Sequence, residues 1–282
     1  MMTLRLVALA LISLALAHPL AAQQRPLATE DPEPIGAGRV LIEGGFDVAD
    51  EQQYPASGLE GTLWRLPTFG LSIGLSSIAE LQIDGMGRDR LTISERVEAP
   101  LSHFLDVAGD TTSDFEDLVV ATKIRFLFET ARRPALAFRF ATRLPNAQNE
   151  SGLSLDTTDF FVSLLGAKTI ESARVVGNVG LGILGDPTRG DRQNDVMTYG
   201  ASVARAITDR AEVVGEINGR VSTRAGGPFP GTETRGLLNL GGRYTRGSVR
   251  LDGALFFGLT PRDPTIGFTA GFTYVFTAFE VF

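Results

Sequence analysis

Basic residues recur at alternate positions in two neighbouring stretches of this chain. Lys123 and Arg125 stand in the first stretch, and Arg139 and Arg143 stand in the second. Alternate residues of a β-strand point to the same face, so these four side chains would line one side of two adjacent strands. A basic wall of this kind could guide anionic solutes through a pore.

Acidic residues at similar alternate positions support a competing interpretation. Charges in confined sites generally need partners, so acidic and basic side chains could pair across an interior and fill it. We favour this structural interpretation over a basic transport wall. Pairing between adjacent strands explains Glu212, Glu216, Arg235 and Arg243 at least as well as transport does. The other candidate lining residues are Glu43, Asp47, Glu80, Glu212, Glu216, Arg235 and Arg243.

The chain offers little for catalysis or metal binding. It has no cysteine, which excludes disulfides, thiolate metal sites and a cysteine nucleophile. One loop histidine, His103, without a matching strand serine weakens the hypothesis of a membrane lipid hydrolase. The acidic stretch from Asp106 to Asp117 lacks the spacing of a calcium loop. We therefore predict no catalytic residues, no metal and no cofactor, and the net charge of −7 argues against nucleic acid as a partner.

The first 22 residues have the features of a cleaved signal peptide. Arg5 supplies the positive charge, Leu6 to Ala17 form an apolar core, and small residues end the segment. The apolar run is too short for a membrane-spanning helix, which needs about 20 residues. We predict cleavage after Ala22. An irregular arm rich in proline, glycine and acids follows over 23–38; it could insert into an interior as a plug, but we place it in the periplasm as a docking segment.

From residue 39 to residue 276, segments of about ten residues alternate in hydrophobicity between turns, which is typical of half-exposed strands. Two of them, Thr158–Lys168 and Val196–Ala206, are ambiguous in phase. The predicted strands are Arg39–Ala49, Leu66–Leu75, Ile78–Asp84, Asp117–Phe128, Ala135–Leu144, Thr158–Lys168, Ala173–Leu184, Val196–Ala206, Ala211–Arg224, Glu233–Tyr244, Val249–Leu259 and Thr265–Phe276.

Tight and long connections alternate along these strands. A transmembrane barrel has short periplasmic turns and longer outer loops, whereas a soluble sandwich has no reason to keep this rhythm. We predict an all-β protein: a transmembrane antiparallel up-and-down β-barrel of about 12 strands in a Gram-negative outer membrane, in contact with its lipid. The segment Gly85–Glu116 is the most unusual connection, and it could be a constriction, a lid or a mobile surface loop.

The last strand carries the pattern that barrel-insertion machinery reads in outer-membrane proteins. Apolar residues alternate up to an aromatic end, so we expect that machinery and periplasmic chaperones to be partners during biogenesis. Either Phe276 or Phe282 could be the recognised end, and 277–282 would be a C-terminal extension. The candidate insertion-signal residues are Phe268, Phe272, Tyr274, Phe276 and Phe282.

The arm and first strand read RPLATEDPEPIGAGRVLIEGGFD, Arg25 to Asp47. This segment resembles the outer-membrane family labelled a putative component of the meta-pathway of phenol degradation, and the closing GFTYVF, Gly271 to Phe276, also fits. The resemblance implies a β-barrel that passes small molecules, including aromatic or hydrophobic ones, and it carries over no binding residues.

These observations lead to three hypotheses for function. The first is an outer-membrane channel or porter for passive passage of small-molecule solutes, which we rank above the others. The second is a non-transporting envelope scaffold or binding barrel whose lumen is filled by side chains. The third, and weakest, is an outer-membrane lipid enzyme.

Overall fold

The computed structural model describes residues 25–280, so the predicted signal peptide and Phe282 lie outside the described residues. Short 3-10 turns occur at Ser102–Phe104 and Asn149–Ser151, and no helix among residues 25–280 has the length and apolarity needed to cross a membrane. The strands are β1 Arg39–Tyr54, β2 Leu59–Gly74, β3 Ala79–Asp84, β4 Arg88–Arg96, β5 Thr111–Phe115, β6 Leu118–Leu127, β7 Ala135–Leu144, β8 Asp159–Ile170, β9 Ala173–Gly185, β10 Gln193–Ala206, β11 Ala211–Ser222, β12 Arg235–Arg246, β13 Val249–Gly258 and β14 Ile266–Thr277.

The sheet closes on itself because β1 pairs with both β2 and β14, and every pairing is antiparallel. β2 pairs with β3 through one half and with β4 through the other, and the register is the same from Gly61 to Gly74. β3 with β4, and β5 with β6, therefore each count as one barrel strand. The fourteen segments thus form a twelve-stranded barrel, which confirms the predicted fold.

The two ends of the barrel differ in the length of their connections. One end has short connections such as 171–172 and 247–248, whereas the other has longer ones such as 145–158 and 223–234. Because short turns are periplasmic in such barrels, we call these the periplasmic end and the outer end. The residues that flank the first and last strands, Gly38 before β1 and Ala278 after β14, meet at the periplasmic end, where the N–H of Ala278 donates to the carbonyl of Gly38.

The connection Gly85–Glu116 is not an irregular loop. Most of it is the hairpin of β4 and β5, which continues the register of β3 and β6: Asp84 pairs with Val119, and Arg88 pairs with Phe115. β1 and β2 are also longer than predicted. β1 continues to Tyr54 instead of ending at Ala49, and β2 starts at Leu59 instead of Leu66. The barrel wall therefore rises beyond the other strands on this side, and we call 85–117 the hairpin extension.

Side chains alternate between the two faces of the wall. Large apolar residues such as Phe138, Phe140 and Leu240 are exposed on the outer face, while Lys123 and Glu80 are buried inside. The two ambiguous strands are now assigned. In β8, Phe160 faces outward and Leu165 inward; in β10, the outward residues include Met197 and Val203.

Candidate functional site in the barrel lumen

The described part of the N-terminal arm, residues 25–38, lies inside the barrel, and we call these residues the arm from here on. At the periplasmic end, the N–H of Gly38 donates to the carbonyl of Gly74 at 2.9 Å. Farther inside, the N–H of Ala28 donates to Glu216 Oε1 at 3.0 Å, and Arg25 Nη2 donates to Thr269 Oγ1 at 2.9 Å. The expectation of a periplasmic arm is therefore wrong for these residues. The arm turns back into the lumen because its charges and backbone N–H groups find partners on the wall.

A buried lysine holds the middle of the arm. Lys123 Nζ lies 2.7 Å from Glu30 Oε1 of the arm and 3.0 Å from Glu80 Oε1 of β3. It also donates to the carbonyl of Asp31 at 2.8 Å, and Gln82 Nε2 donates to both carboxylates at 2.8 Å. All these side chains are buried, so we call Lys123, Glu30, Glu80 and Gln82 the lysine cluster. Inside a barrel, such a cluster is stabilised only while every charge keeps its partner.

A second anchor lies nearer the periplasm. Arg174 of β9 binds Asp31 through two nitrogens, at 2.6 and 2.7 Å, in the fork geometry that suits a carboxylate. Its Nη1 also donates to Glu129 Oε2 at 2.6 Å, in the turn after β6. Desolvation favours the protonated form of Glu129, but hydrogen bonds from the Thr169 N–H, Arg174 and Lys168 outweigh it and lower the pKa of this carboxyl. Arg174 therefore joins the arm to the periplasmic rim.

Glycines on the wall make room for the arm. Gly45 and Gly271 face each other across β1 and β14, and a Cβ at either would stand 2.6 Å from the Arg25 guanidinium. A Cβ at Gly200 of β10 would meet Thr29 Oγ1 at 2.8 Å. These distances are too short for real contacts. At Gly45 and Gly271 a Cβ would also collide with a backbone carbonyl of the wall, whereas at Gly200 it would meet only the arm, so a larger residue at Gly200 would displace the arm.

The predicted basic wall is neutralised largely by the arm. Lys123 belongs to the lysine cluster, Arg125 pairs with Glu33, and Arg139 Nε lies 3.6 Å from Glu30 Oε2. Arg143 pairs with Asp159 of the adjacent strand. These cations are therefore paired and do not form a pathway for anions. Most of their partners are not among the acidic lining candidates that the sequence suggested.

The acidic candidates also lie in the lumen. Glu216 accepts N–H groups of Ala28 and Thr29 and the Asn239 amide, and Glu43 accepts from the Arg25 N–H at 3.4 Å. Glu212 lies 3.9 Å from Arg243, whereas Asp47 lies 3.9 Å from Arg65. Arg235 behaves differently from the others, because its guanidinium donates to the backbone carbonyl of Gln53.

The insertion-signal candidates within the described residues lie on β14. Phe268, Phe272 and Tyr274 are exposed on the outer face. Phe276 stacks on Tyr274 with ring centroids 5.4 Å apart. Their recognition by insertion machinery stays a prediction.

Sequence reasoning missed the residues that join the arm to the wall, namely Glu30, Asp31, Gln82, Arg174 and Asn178. The available signal was charge complementarity: an acidic arm precedes strands whose alternate positions are basic. This complementarity favours the plug over the periplasmic position of the arm. It does not indicate which residues form ion pairs, because the pairs depend on which strands surround the arm.

The arm divides the lumen into cavities. A chamber of about 490 Å³ opens at the outer end, lined by Tyr54, Arg65 and Glu116 among others. One of about 660 Å³ lies beside the first arm residues, and one of about 640 Å³ lies at the periplasmic end. Burial in the hairpin extension raises the pKa of Glu116 to about 7 although Arg65 opposes the shift. No cluster of possible metal ligands occurs within 25–280.

Comparisons with known proteins support the fold. No protein-family model and no curated protein matches the chain. An outer membrane channel from Pseudomonas putida F1 superposes with a TM-score of 0.58 at 13% identity, covering 87% of this chain and 98% of that one. The NanC porin superposes with a TM-score of 0.51 at 8% identity, covering 86% and 100%. At these identities the likeness shows a shared fold, that of outer-membrane β-barrels.

Proposed function

We propose that this chain is an outer-membrane channel for passive passage of small molecules, and that its own N-terminal arm closes the lumen. The observation that carries the proposal is the polar lumen with cavities on both sides of the arm. A twelve-stranded barrel is wider than the eight-stranded ones that side chains alone can fill. Here a separate segment, held by ion pairs, occupies the extra width.

The export route and location belong to the same proposal. The signal-like leader and the exposed apolar belt support an outer-membrane position, because lipid-facing side chains of a barrel are apolar. The resemblance of the arm to the phenol-degradation family supports small aromatic or hydrophobic solutes as cargo. The proposed role is not enzymatic: His103 is exposed, its ring centroid lies 4.1 Å from that of Phe104, and no described serine shares a hydrogen bond with it.

Removing the arm tests the channel proposal. A variant that keeps the leader but lacks Arg25 to Pro34 is expected to conduct in planar bilayers far more than the full chain, because the lumen loses its plug. A second variant, Glu30→Gln with Asp31→Asn, keeps the arm length and is expected to open intermittently. If a correctly folded arm-less barrel inserts and still carries no more current than the full chain, the channel proposal is wrong.

The lysine cluster favours a second candidate function, that of a non-transporting scaffold whose lumen is filled. Its buried charges are paired, as expected for a lumen that is permanently filled. The two candidates differ in the same experiment: a scaffold without its arm would remain sealed by the side chains of the wall, whereas a channel would open.

A further inference from the structure

Two arginines face each other in the lumen without an acidic partner in the part of the chain that the structure describes. Arg220 of β11 and Arg235 of β12 are direct cross-strand partners, and both line the cavity of about 660 Å³. Like charges directly opposite each other destabilise a sheet. Among residues 25–280, no carboxylate oxygen lies within 4.0 Å of either guanidinium, which sets them apart from Lys123, Arg139 and Arg174.

Backbone carbonyls hold the pair in place. Arg220 donates to the carbonyls of Glu233 and Gly231, at 2.9 and 2.7 Å, and Arg235 donates to that of Gln53 at 3.0 Å. These contacts orient the two guanidinium groups but do not neutralise them. Since each guanidinium has five N–H donors, several remain for a ligand.

Three carboxylates act on this pair from a distance, namely Glu233, Asp263 and Asp159, and each accepts at least one hydrogen bond from another group. Glu233 Oε1 accepts from the N–H of Gly231 at 2.9 Å, and Asp263 Oδ2 accepts from the N–H of Gly236 at 2.9 Å. Glu233 is the one that could compete with an incoming anion, because its other oxygen is buried without a hydrogen-bond partner.

The same cavity has apolar walls next to the arginines. Leu237 follows Arg235 on the lumen face of β12, about 7 Å farther along the strand, and Phe256 of β13 lies beside it. Phe161 of β8 and Leu27 of the arm line the cavity as well. Its volume is within the range of small-molecule sites, which combine apolar walls with a few convergent polar groups.

We propose that this cavity is a binding site for small monocarboxylates with a compact apolar body, such as an aromatic ring. The carboxylate is held by Arg220 and Arg235, which can bind it in the forked geometry typical of arginine. The apolar body lies against Leu237, Phe256 and the arm. This inference rests on the proposed channel function and names its solute class.

Calorimetric titration of the full chain in detergent tests the site with three probes. Benzoate carries both features, benzamide lacks the charge, and acetate lacks the ring. We expect benzamide to bind at least about tenfold more weakly than benzoate, the loss expected when one charge-assisted hydrogen bond is removed. Acetate should also bind at least about tenfold more weakly, because it buries no ring against the apolar wall. Equal affinities for benzoate and benzamide, or no benzoate binding, would overturn the proposal.

Variants test the assigned residues. Arg220→Gln and Arg235→Gln should each weaken benzoate binding at least about tenfold, whereas Arg210→Gln, at an exposed periplasmic turn, should leave it unchanged. Glu233→Gln should strengthen binding, because a competing carboxylate is removed. Circular dichroism checks that each variant folds. Unchanged benzoate affinity in both folded arginine variants contradicts the assignment.

Uptake separates this inference from the channel function. In liposomes that contain the arm-less barrel, failure of the channel proposal means that neither benzoate nor benzamide enters faster than it enters protein-free liposomes, which measure diffusion through the lipid. Failure of the site alone means that solutes enter, while benzoate binding to the full chain does not depend on Arg220 or Arg235.

Discussion

At the residue scale, the lumen is organised by charges that have been withdrawn from water and must keep their partners. Lys123 is completely buried between a carboxylate of the arm and one of the wall. Burying these ions is costly, and their attraction offsets that cost only when the geometry is good. The cluster therefore contributes specificity: the arm has one position in which its acids meet their cations.

Lys123→Met tests this cluster. The substitution leaves Glu30 and Glu80 buried without their cation, so the free energy of unfolding should fall by about 3–5 kcal/mol. Lys168→Met is the matched control, because Lys168 pairs with Glu129 at the more exposed periplasmic rim and should cost less than about 1 kcal/mol. Denaturant unfolding in lipid vesicles measures both. Similar small losses for the two variants would show that the cluster is not structurally important.

At the element scale, the arm and the wall are fitted to each other. The arm has no regular secondary structure and is held by partners on β3, β6, β9, β11 and β14. It also passes close to wall glycines, where an added Cβ would collide with Arg25 or Thr29. An element held this way can leave only if many contacts break together, which makes it a plug with one defined docked position.

Gly200→Val tests the fit between arm and wall. The added side chain would meet Thr29, so the arm should dock less well and bilayer conductance should rise above that of the unaltered chain. Gly215→Val is the matched control from the adjacent strand, since a Cβ there meets only Leu240 at 3.5 Å and Asn239 at 3.9 Å. If both variants conduct alike, steric fit at Gly200 does not position the arm.

At the scale of the whole molecule, the outer face shows which solvent surrounds the barrel. Large apolar side chains are exposed around its circumference, from Phe138 on β7 to Leu240 on β12 and Phe272 on β14. A protein in water rarely exposes so large a continuous apolar surface. Hydrocarbon around the barrel removes that penalty, and closure of the sheet leaves no unpaired strand edge within it.

Phe138→Arg tests the membrane belt. A lipid-facing arginine should destabilise the barrel by about 2–4 kcal/mol near the middle of the bilayer. Phe104→Arg is the control: this side chain is similarly exposed, at 49% against 43%, but it lies in the hairpin extension, where water already surrounds it. Unfolding in vesicles should show a loss for the first variant only. Equal effects would argue against a lipid-facing position for Phe138.

Local periodicity was sufficient to predict the barrel and the facing of most of its strands. Strands such as β7 alternate because one side meets an apolar solvent and the other a polar interior, so Phe138 and Arg139 could be assigned from sequence. β8 and β10 were ambiguous because lumen-facing Leu165 and Val196 are apolar as well, which removes the contrast between faces.

The amino-acid sequence by itself determined the solvent on each side of the wall, since alternation is a property of neighbouring residues. Only the tertiary structure decided where the arm lies, that Glu30 meets Lys123 ninety-three positions away, and that Arg220 faces Arg235 with no carboxylate of the described chain paired to either. The physical reason is that such pairs depend on barrel closure and strand register, which bring distant segments together and leave no local pattern in the chain.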